Sequence, residues 1–168
     1  MNINPDEKKI NILYICSGNT CRSPFAEFYS KLLKSTIFKE ELKDVKFDSA
    51  GIYHYYEVAQ PGTVNYLKTK GVDISDFKTK RLDEDLLEKQ DLILGFEQKH
   101  HINKVKRKFK NVKNLEERLF LLLEFAGEKE NLEIFDPFNL EQEEYTLVLK
   151  RIEEGILKVI ERIIETKS

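Results

Sequence analysis

Cysteine is scarce in this chain of 168 residues: there are two, Cys16 and Cys21, and none follows them. Two thiols five positions apart in one short loop are not the framework of a small secreted fold, so a disulfide scaffold is excluded. No apolar run approaches the roughly 20 residues that a membrane-spanning helix needs. The opening Met1-Asn2-Ile3-Asn4-Pro5-Asp6-Glu7 lacks the basic-then-apolar order of a secretory signal. An excess of one charge is also missing. The 28 basic and 30 acidic residues leave a formal net charge of -2, which points to neither nucleic acid nor an anionic membrane as a partner. There is no internal repeat and no low-complexity linker. The expectation is one cytoplasmic domain over residues 10–168, with a core of useful size. A polar extension occupies residues 1–9.

What is present alternates between two periods. Ile10-Asn11-Ile12-Leu13-Tyr14-Ile15 reads as a buried strand, as do Val45-Lys46-Phe47-Asp48-Ser49-Ala50 and Asp91-Leu92-Ile93-Leu94-Gly95-Phe96. Val112-Lys113-Asn114-Leu115 is the expected fourth strand, and the apolar Leu119–Phe125 fits a buried helix or a strand equally well. Helices are expected near 24–33, near 61–70 with Gly71 as a C-terminal cap, and over 83–89 with Asp83 as N-cap. A basic helix is expected over 97–108. The last helix, about 141–166, is unmistakable: Tyr145, Val148, Leu149, Ile152, Ile156, Val159, Ile160, Ile163 and Ile164 make one stripe. The pattern predicts a three-layer α/β fold, a four-stranded parallel sheet covered by helices on both faces.

The chemistry gathers in Cys16-Ser17-Gly18-Asn19-Thr20-Cys21-Arg22-Ser23-Pro24, between the first strand and a helix that Ser23-Pro24 opens. A loop running into a helix N-terminus directs several backbone N–H groups at one point, and the helix dipole adds positive potential there. Such a nest binds an oxyanion. Arg22 adds a planar fork of donors suited to two phosphate oxygens, and the same field favours the nucleophilic thiolate of Cys16. Gly18 and Asn19 are residue types that tolerate left-handed backbone. The loop also falls at the carboxyl end of its strand, where parallel sheets bind ligands.

These residues resemble the signature of the low-molecular-weight protein phosphatases, Cys-x-Gly-Asn-x-Cys-Arg-Ser-Pro. Further matches are Asp48-Ser49-Ala50-Gly51 and Asp136-Pro137-Phe138, so the resemblance runs from about Ile10 to the final helix. It implies a metal-free, cofactor-free hydrolase of phosphorylated protein side chains, a monomer or weak dimer. Cys16 is the implied nucleophile and Arg22 the stabiliser of the transition state. The amides of Ser17, Gly18, Asn19, Thr20, Cys21 and Arg22 are the implied phosphate cradle. Asp136 is the implied general acid and base, although Asp-Pro before a helix is also an ordinary turn signal. Ser23 is expected to hydrogen-bond the thiolate, and Asn19 with Ser49 to brace the loop. Cys21 resembles a second loop cysteine that can pair reversibly with the nucleophile, or it is simply a small buried residue.

Phe138, Tyr55 and Tyr56, with Tyr53 nearby, are candidates for the wall of a flat slot, or for ordinary packing. Thr20 bears on substrate. Many tyrosine-directed members of the family carry isoleucine there, whereas the protein-arginine phosphatase branch carries threonine and an Asp-Pro-Phe acid loop. Asn139 departs from that branch, which has glycine, and Asp76 stands near a histidine of some members. Phosphotyrosine is favoured and phosphoarginine is the alternative. An arsenate reductase would need later cysteines, and a non-catalytic phosphate-binding module would not need Asp136. His100-His101 is expected to be an exposed pair with no metal role. Lys104-Val105-Lys106-Arg107-Lys108-Phe109-Lys110 could dock an acidic partner, although a solvated helix face is the ordinary account.

Overall fold

The computed structural model describes residues 9–167. The expected extension at residues 1–9 therefore lies outside the described residues, Lys9 apart. Four strands, β1 (Ile10–Cys16), β2 (Val45–Gly51), β3 (Leu92–Gly95) and β4 (Leu119–Leu121), pair in parallel in the order β2-β1-β3-β4. Among the described residues seven α-helices accompany them: α1 (Arg22–Ser35), α2 (Pro61–Thr69), α3 (Glu84–Glu88), α4 (Asn103–Lys108), α5 (Leu115–Arg118), α6 (Leu122–Phe125) and α7 (Gln142–Lys167).

The central strands are apolar on both faces because both faces are covered. Alternation along β1 sends Ile12, Tyr14 and Cys16 into a core shared with Phe25 of α1, Leu67 of α2, Leu123 of α6 and Ile156 of α7. It sends Leu13 and Ile15 into a second core with Leu87 of α3, Val105 of α4 and Leu115 of α5. The expected three-layer architecture is the one observed. The stripe on α7 is also as read: Tyr145, Leu149, Ile152, Ile156, Val159, Ile160 and Ile163 are buried, and Val148 and Ile164 pack at its edges. Asp83 caps α3 by accepting from the Leu86 amide at 2.8 Å, and Gly71, at φ 80°, follows the end of α2.

Two expectations about local structure need correction. Val112–Leu115 is not a strand, because Asn114 takes a left-handed φ of 57° and Leu115 begins α5. The fourth strand is the short Leu119–Leu121, registered against Ile93–Gly95, and the chain turns directly into α6. The apolar run 119–125 is thus strand and then helix, a split that periodicity cannot resolve at such lengths. The basic helix, for its part, opens with a π-helical turn, Gln98–Ile102, before α4.

Burial along α7 sets the expected cost of truncation. Ile156→Ala should lower the free energy of urea unfolding by about 2–5 kcal/mol, through lost transfer energy and a residual cavity. Leu147→Ala, on the same helix but 62% exposed, should change it by less than about 0.5 kcal/mol.

Candidate active site

Between the end of β1 at Cys16 and the start of α1 at Arg22 the chain must reverse within five residues. Asn19 makes this possible with φ 57°. Gly18 does not share that conformation. Its hydrogen instead provides room, since a Cβ there would lie 2.9 Å from Cδ2 of Tyr55. Gly51, paired with Cys16 at the end of β2, lets the loop backbone lie against it: a Cβ would come within 2.7 Å of the Gly18 carbonyl carbon. The loop carbonyls are tied outward, with Ser17 accepting from the Tyr53 amide at 2.8 Å and Thr20 from the Gln60 amide at 2.9 Å. Among the described residues, no amide of residues 17–20 donates to another backbone carbonyl. No side chain caps α1. The donors of the loop are therefore not consumed by the fold, as an anion nest requires.

A buried polar chain fixes the loop and orients one hydroxyl. Asn19 Oδ1 accepts from the Lys80 amide at 3.0 Å, while its Nδ2 donates to both Ser23 Oγ and Ser49 Oγ at 2.9 Å. Ser49 passes its own proton to Glu27 Oε1 at 2.6 Å. Ser23 Oγ also pairs with Cys16 Sγ at 2.9 Å, and toward a sulfur anion it is the donor. Glu27, buried at the end of this chain and paired with Lys31 at 2.5 Å, had no sequence signal. Asp76 is exposed and is not part of it.

Arg22 is 2% exposed. Its Nη1 donates to Glu97 Oε2 and to the Ile134 carbonyl, both at 2.7 Å. That consumes one end of the guanidinium. Nε, by contrast, has no hydrogen-bond partner among the described residues. Nη2 lies 3.4 Å from His101 Nε2, so the Nε–Nη2 edge, with Nε unspent, is the one turned to bidentate contact with a phosphate. An unpaired buried donor costs about 1–3 kcal/mol, so a bound oxyanion would relieve a strain already present in the fold.

His101 corrects an expectation. It is fully buried rather than exposed, and only His100 of the pair faces solvent. The π-helical turn places its ring beneath the end of β3, where Nδ1 accepts from the Phe96 and Glu97 amides at 3.0 Å each. With Nδ1 an acceptor, the proton sits on Nε2, which faces Ser17 Oγ at 3.4 Å. Burial above all, then the Arg22 charge, lowers its pKa to about 2. The available signal was position: Glu97 and His101 follow directly from the carboxyl end of the third strand.

Asp136 lies exposed on the segment before α7, its Oδ1 accepting from the Phe138 amide at 3.0 Å. Ile134, two residues earlier, is the residue bound to Arg22, and its amide donates to the Phe96 carbonyl at 2.9 Å. The Asp136 charge also reaches Cys21 and Tyr145. Asn139, where the arginine-phosphatase branch has glycine, takes φ 69° and so adopts a conformation glycine would favour. The aromatic candidates separate. Tyr56 stacks on Phe138 with centroids 6.2 Å apart, whereas Tyr55 covers Gly18 and tilts against Tyr53 at 5.7 Å. Cys21 is buried, and burial pushes its thiol up to about 11. Thr63, donating to the Cys21 carbonyl at 2.9 Å, and Tyr145 hold it against α7. Both cysteines are free.

A thiol beside a serine hydroxyl, inside a ring of amides closed by a guanidinium edge, defines a cysteine-dependent phosphatase. The chain belongs to the low molecular weight phosphotyrosine protein phosphatase family, whose model matches residues 11–168. It is 30% identical over 153 residues to the low molecular weight protein-tyrosine-phosphatase PtpB of Staphylococcus aureus, covering 89% of this chain and 96% of that one. An arsenate reductase of Brevibacillus brevis is 35% identical over 88 residues, 52% of this chain and 59% of its own. Among solved structures, the YwlE arginine phosphatase, in a mutant with a phosphorylated active-site serine, superposes with a TM-score of 0.79. It is 25% identical, with 91% of this chain and 95% of that one covered.

The neutral state of His101 has a measurable consequence. Its folded pKa lies below its unfolded value of about 6.5, so below that pH the unfolded chain binds a proton that the folded chain refuses. Stability should therefore fall as pH drops through 6, this group contributing about 1.4 kcal/mol per pH unit. Urea titrations of His101→Gln, which retains an acceptor and a donor, should show that slope reduced by one proton. The wild-type ring should show no titration by NMR between pH 5 and 9.

Proposed function

We propose that the chain is a protein-tyrosine phosphatase working through a phosphocysteine intermediate in the cytoplasm. The observation that carries this reading is Cys16 beside the Ser23 hydroxyl, at the start of a loop that ends on Arg22 with its Nε unpaired among the described residues. In the first step the Cys16 thiolate attacks phosphorus in line. The S–P bond forms as the P–O bond to the side chain breaks, and protonated Asp136 gives its proton to the leaving oxygen. Arg22 and the amides of residues 17–22 hold the equatorial oxygens as charge builds on them. In the second step water attacks phosphorus, Asp136 carboxylate takes its proton, and the thiolate departs as inorganic phosphate is released. Arg22 and the amides supply the positive charge, so the steps call for no metal. The stacked Tyr56 and Phe138, next to Asp136, suit the flat ring of phosphotyrosine.

A second reading, phosphoarginine, has its own support. Thr20 puts a hydroxyl beside the loop, 3.6 Å from Cys21 Sγ, and a solved relative carries the name arginine phosphatase. In that case a P–N bond breaks in place of P–O. A relay like that of an arsenate reductase would need a further cysteine, and none follows Cys21 in these 168 residues.

Phosphate release from paired phosphotyrosine and phosphoarginine peptides decides between the two, with Cys16→Ser as the inactive blank. Preference for phosphoarginine would overturn the first reading and make Thr20 the specificity residue. Release no faster than the blank from either would sink the enzyme assignment of these residues. Asp136→Asn should lower kcat on phosphotyrosine by about 10²–10⁴-fold. The loss should be much smaller on p-nitrophenyl phosphate, whose leaving group needs little protonation.

A further inference from the structure

The rim of the site on the face away from Asp136 is basic, and the chemistry above does not use it. Asp136 acts on Cys21 and Tyr145, which belong to the core under α7. Tyr53 packs on the other core, with Ile102 and Val105. There Lys104 Nζ donates to Tyr53 Oη at 2.7 Å and lies 5.1 Å from its ring centroid, while Lys108 Nζ lies 5.2 Å from the same ring and 3.4 Å from the Ile52 carbonyl. The two ammonium groups therefore converge on one tyrosine, which the Lys104 hydrogen bond above all, and then the charges of Lys104, Lys108 and Arg107, keep below its usual pKa. Helical i,i+4 spacing puts Lys104 and Lys108 on one face of α4, and this is more than a solvated face because both ammonium groups meet the same ring just beyond β2.

Neither lysine has a carboxylate within 4.0 Å among the described residues, whereas Lys31, Lys70, Lys80, Lys158 and Lys167 each do. Each uses one contact on Tyr53 or its neighbour and keeps further N–H donors, since an ammonium has three. The platform is also adjacent to the catalytic loop. The Tyr53 amide donates to the Ser17 carbonyl, and Tyr55, 5.7 Å from Tyr53, covers Gly18. From loop to ammonium is thus on the order of 10 Å, which two to three residues of extended peptide span. The segment that carries Asp136 is acidic along its sequence, with Glu130, Glu133 and Glu141 also exposed. An acidic segment would be repelled there and attracted to the lysines, which orients it across the site.

We propose that Lys104 and Lys108, braced on Tyr53, form an anion subsite that takes a carboxylate side chain flanking the phosphorylated residue of the substrate protein. The subsite rests on the phosphatase reading above and adds a substrate preference to it. Two exposed pairs of this kind supply a discrimination of about five-fold.

The test uses two phosphotyrosine peptides that differ only in carrying Glu or Ala at the three positions on each side. A matching phosphoarginine pair is run in parallel, so that the preferred phosphoresidue does not decide the outcome. Wild-type protein at low salt should favour the Glu peptide about five-fold in kcat/KM, mainly through KM, and lose that preference at 0.5 M salt. Lys104→Met/Lys108→Met should bring the ratio to one, and Lys104→Glu/Lys108→Glu should invert it. Because the ratio is taken within each variant, a general loss of activity cancels. A wild-type ratio of one, or a ratio unchanged in the double variants, overturns the subsite while leaving the phosphatase reading intact. Hydrolysis of no peptide at all overturns that reading, and the subsite with it. Sedimentation with phosphatidylserine vesicles that depends on both lysines, with a peptide ratio of one, would assign the patch to a lipid surface and overturn the proposal.

Discussion

One buried guanidinium holds three parts of the chain together. Arg22 sits at the start of α1, yet its Nη1 binds Glu97 after β3 and the Ile134 carbonyl two residues before Asp136. A charge this deeply buried is tolerated only where it is paired and hydrogen-bonded, and removing one partner typically costs about 3–5 kcal/mol. The folded state therefore has a strong reason to bring these three segments to one point. Nε is what remains without a partner among the described residues after those contacts. The neutral His101 follows from the same constraint. A second cation next to Arg22 and under two backbone amides would be repelled by one and unsolvated by the rest, so the ring stays uncharged.

Around that centre the electrostatics are divided by the sheet. On the α1 and α7 face lie Cys21, Tyr145 and the segment bearing Asp136. On the other lie Tyr53, Lys104 and Lys108. The loop of residues 17–21 leaves the carboxyl end of the sheet between them, since β1 is flanked by β2 and β3. Bracing is built from groups that cannot slide. Asn19 uses its carbonyl on Lys80 and its amide on two hydroxyls. Order in this network, more than its net energy, holds the Ser23 hydroxyl beside the sulfur.

Much of this was written locally. The run of residues 16–24 joins a strand to a helix within a few positions, and neighbouring residues keep their relation whatever the rest of the chain does. The apolar stripe on α7 and the strands β1 to β3 were legible for the same reason, being set by a period of 3.6 or by a continuous buried run. The short fourth strand was misplaced because a left-handed Asn114 ends one pattern where periodicity suggests another begins. Asn19 was a left-handed candidate and took that conformation, while Gly18 turned out to provide space for Tyr55, which no local pattern could reveal.

By itself, then, the sequence determined the fold class, through the alternation of strands and helices, and the family, through the spacing within residues 16–24. Tertiary structure alone decided the burial of His101 and Glu97, the link from Glu27 through Ser49 to Asn19, and the stacking of Tyr56 on Phe138. It also decided that Lys104 and Lys108 converge on Tyr53. The partners in these contacts lie between 4 and 82 residues apart in the chain, and most belong to different elements. Only the packing of helices on both faces of the sheet brings them within hydrogen-bonding distance.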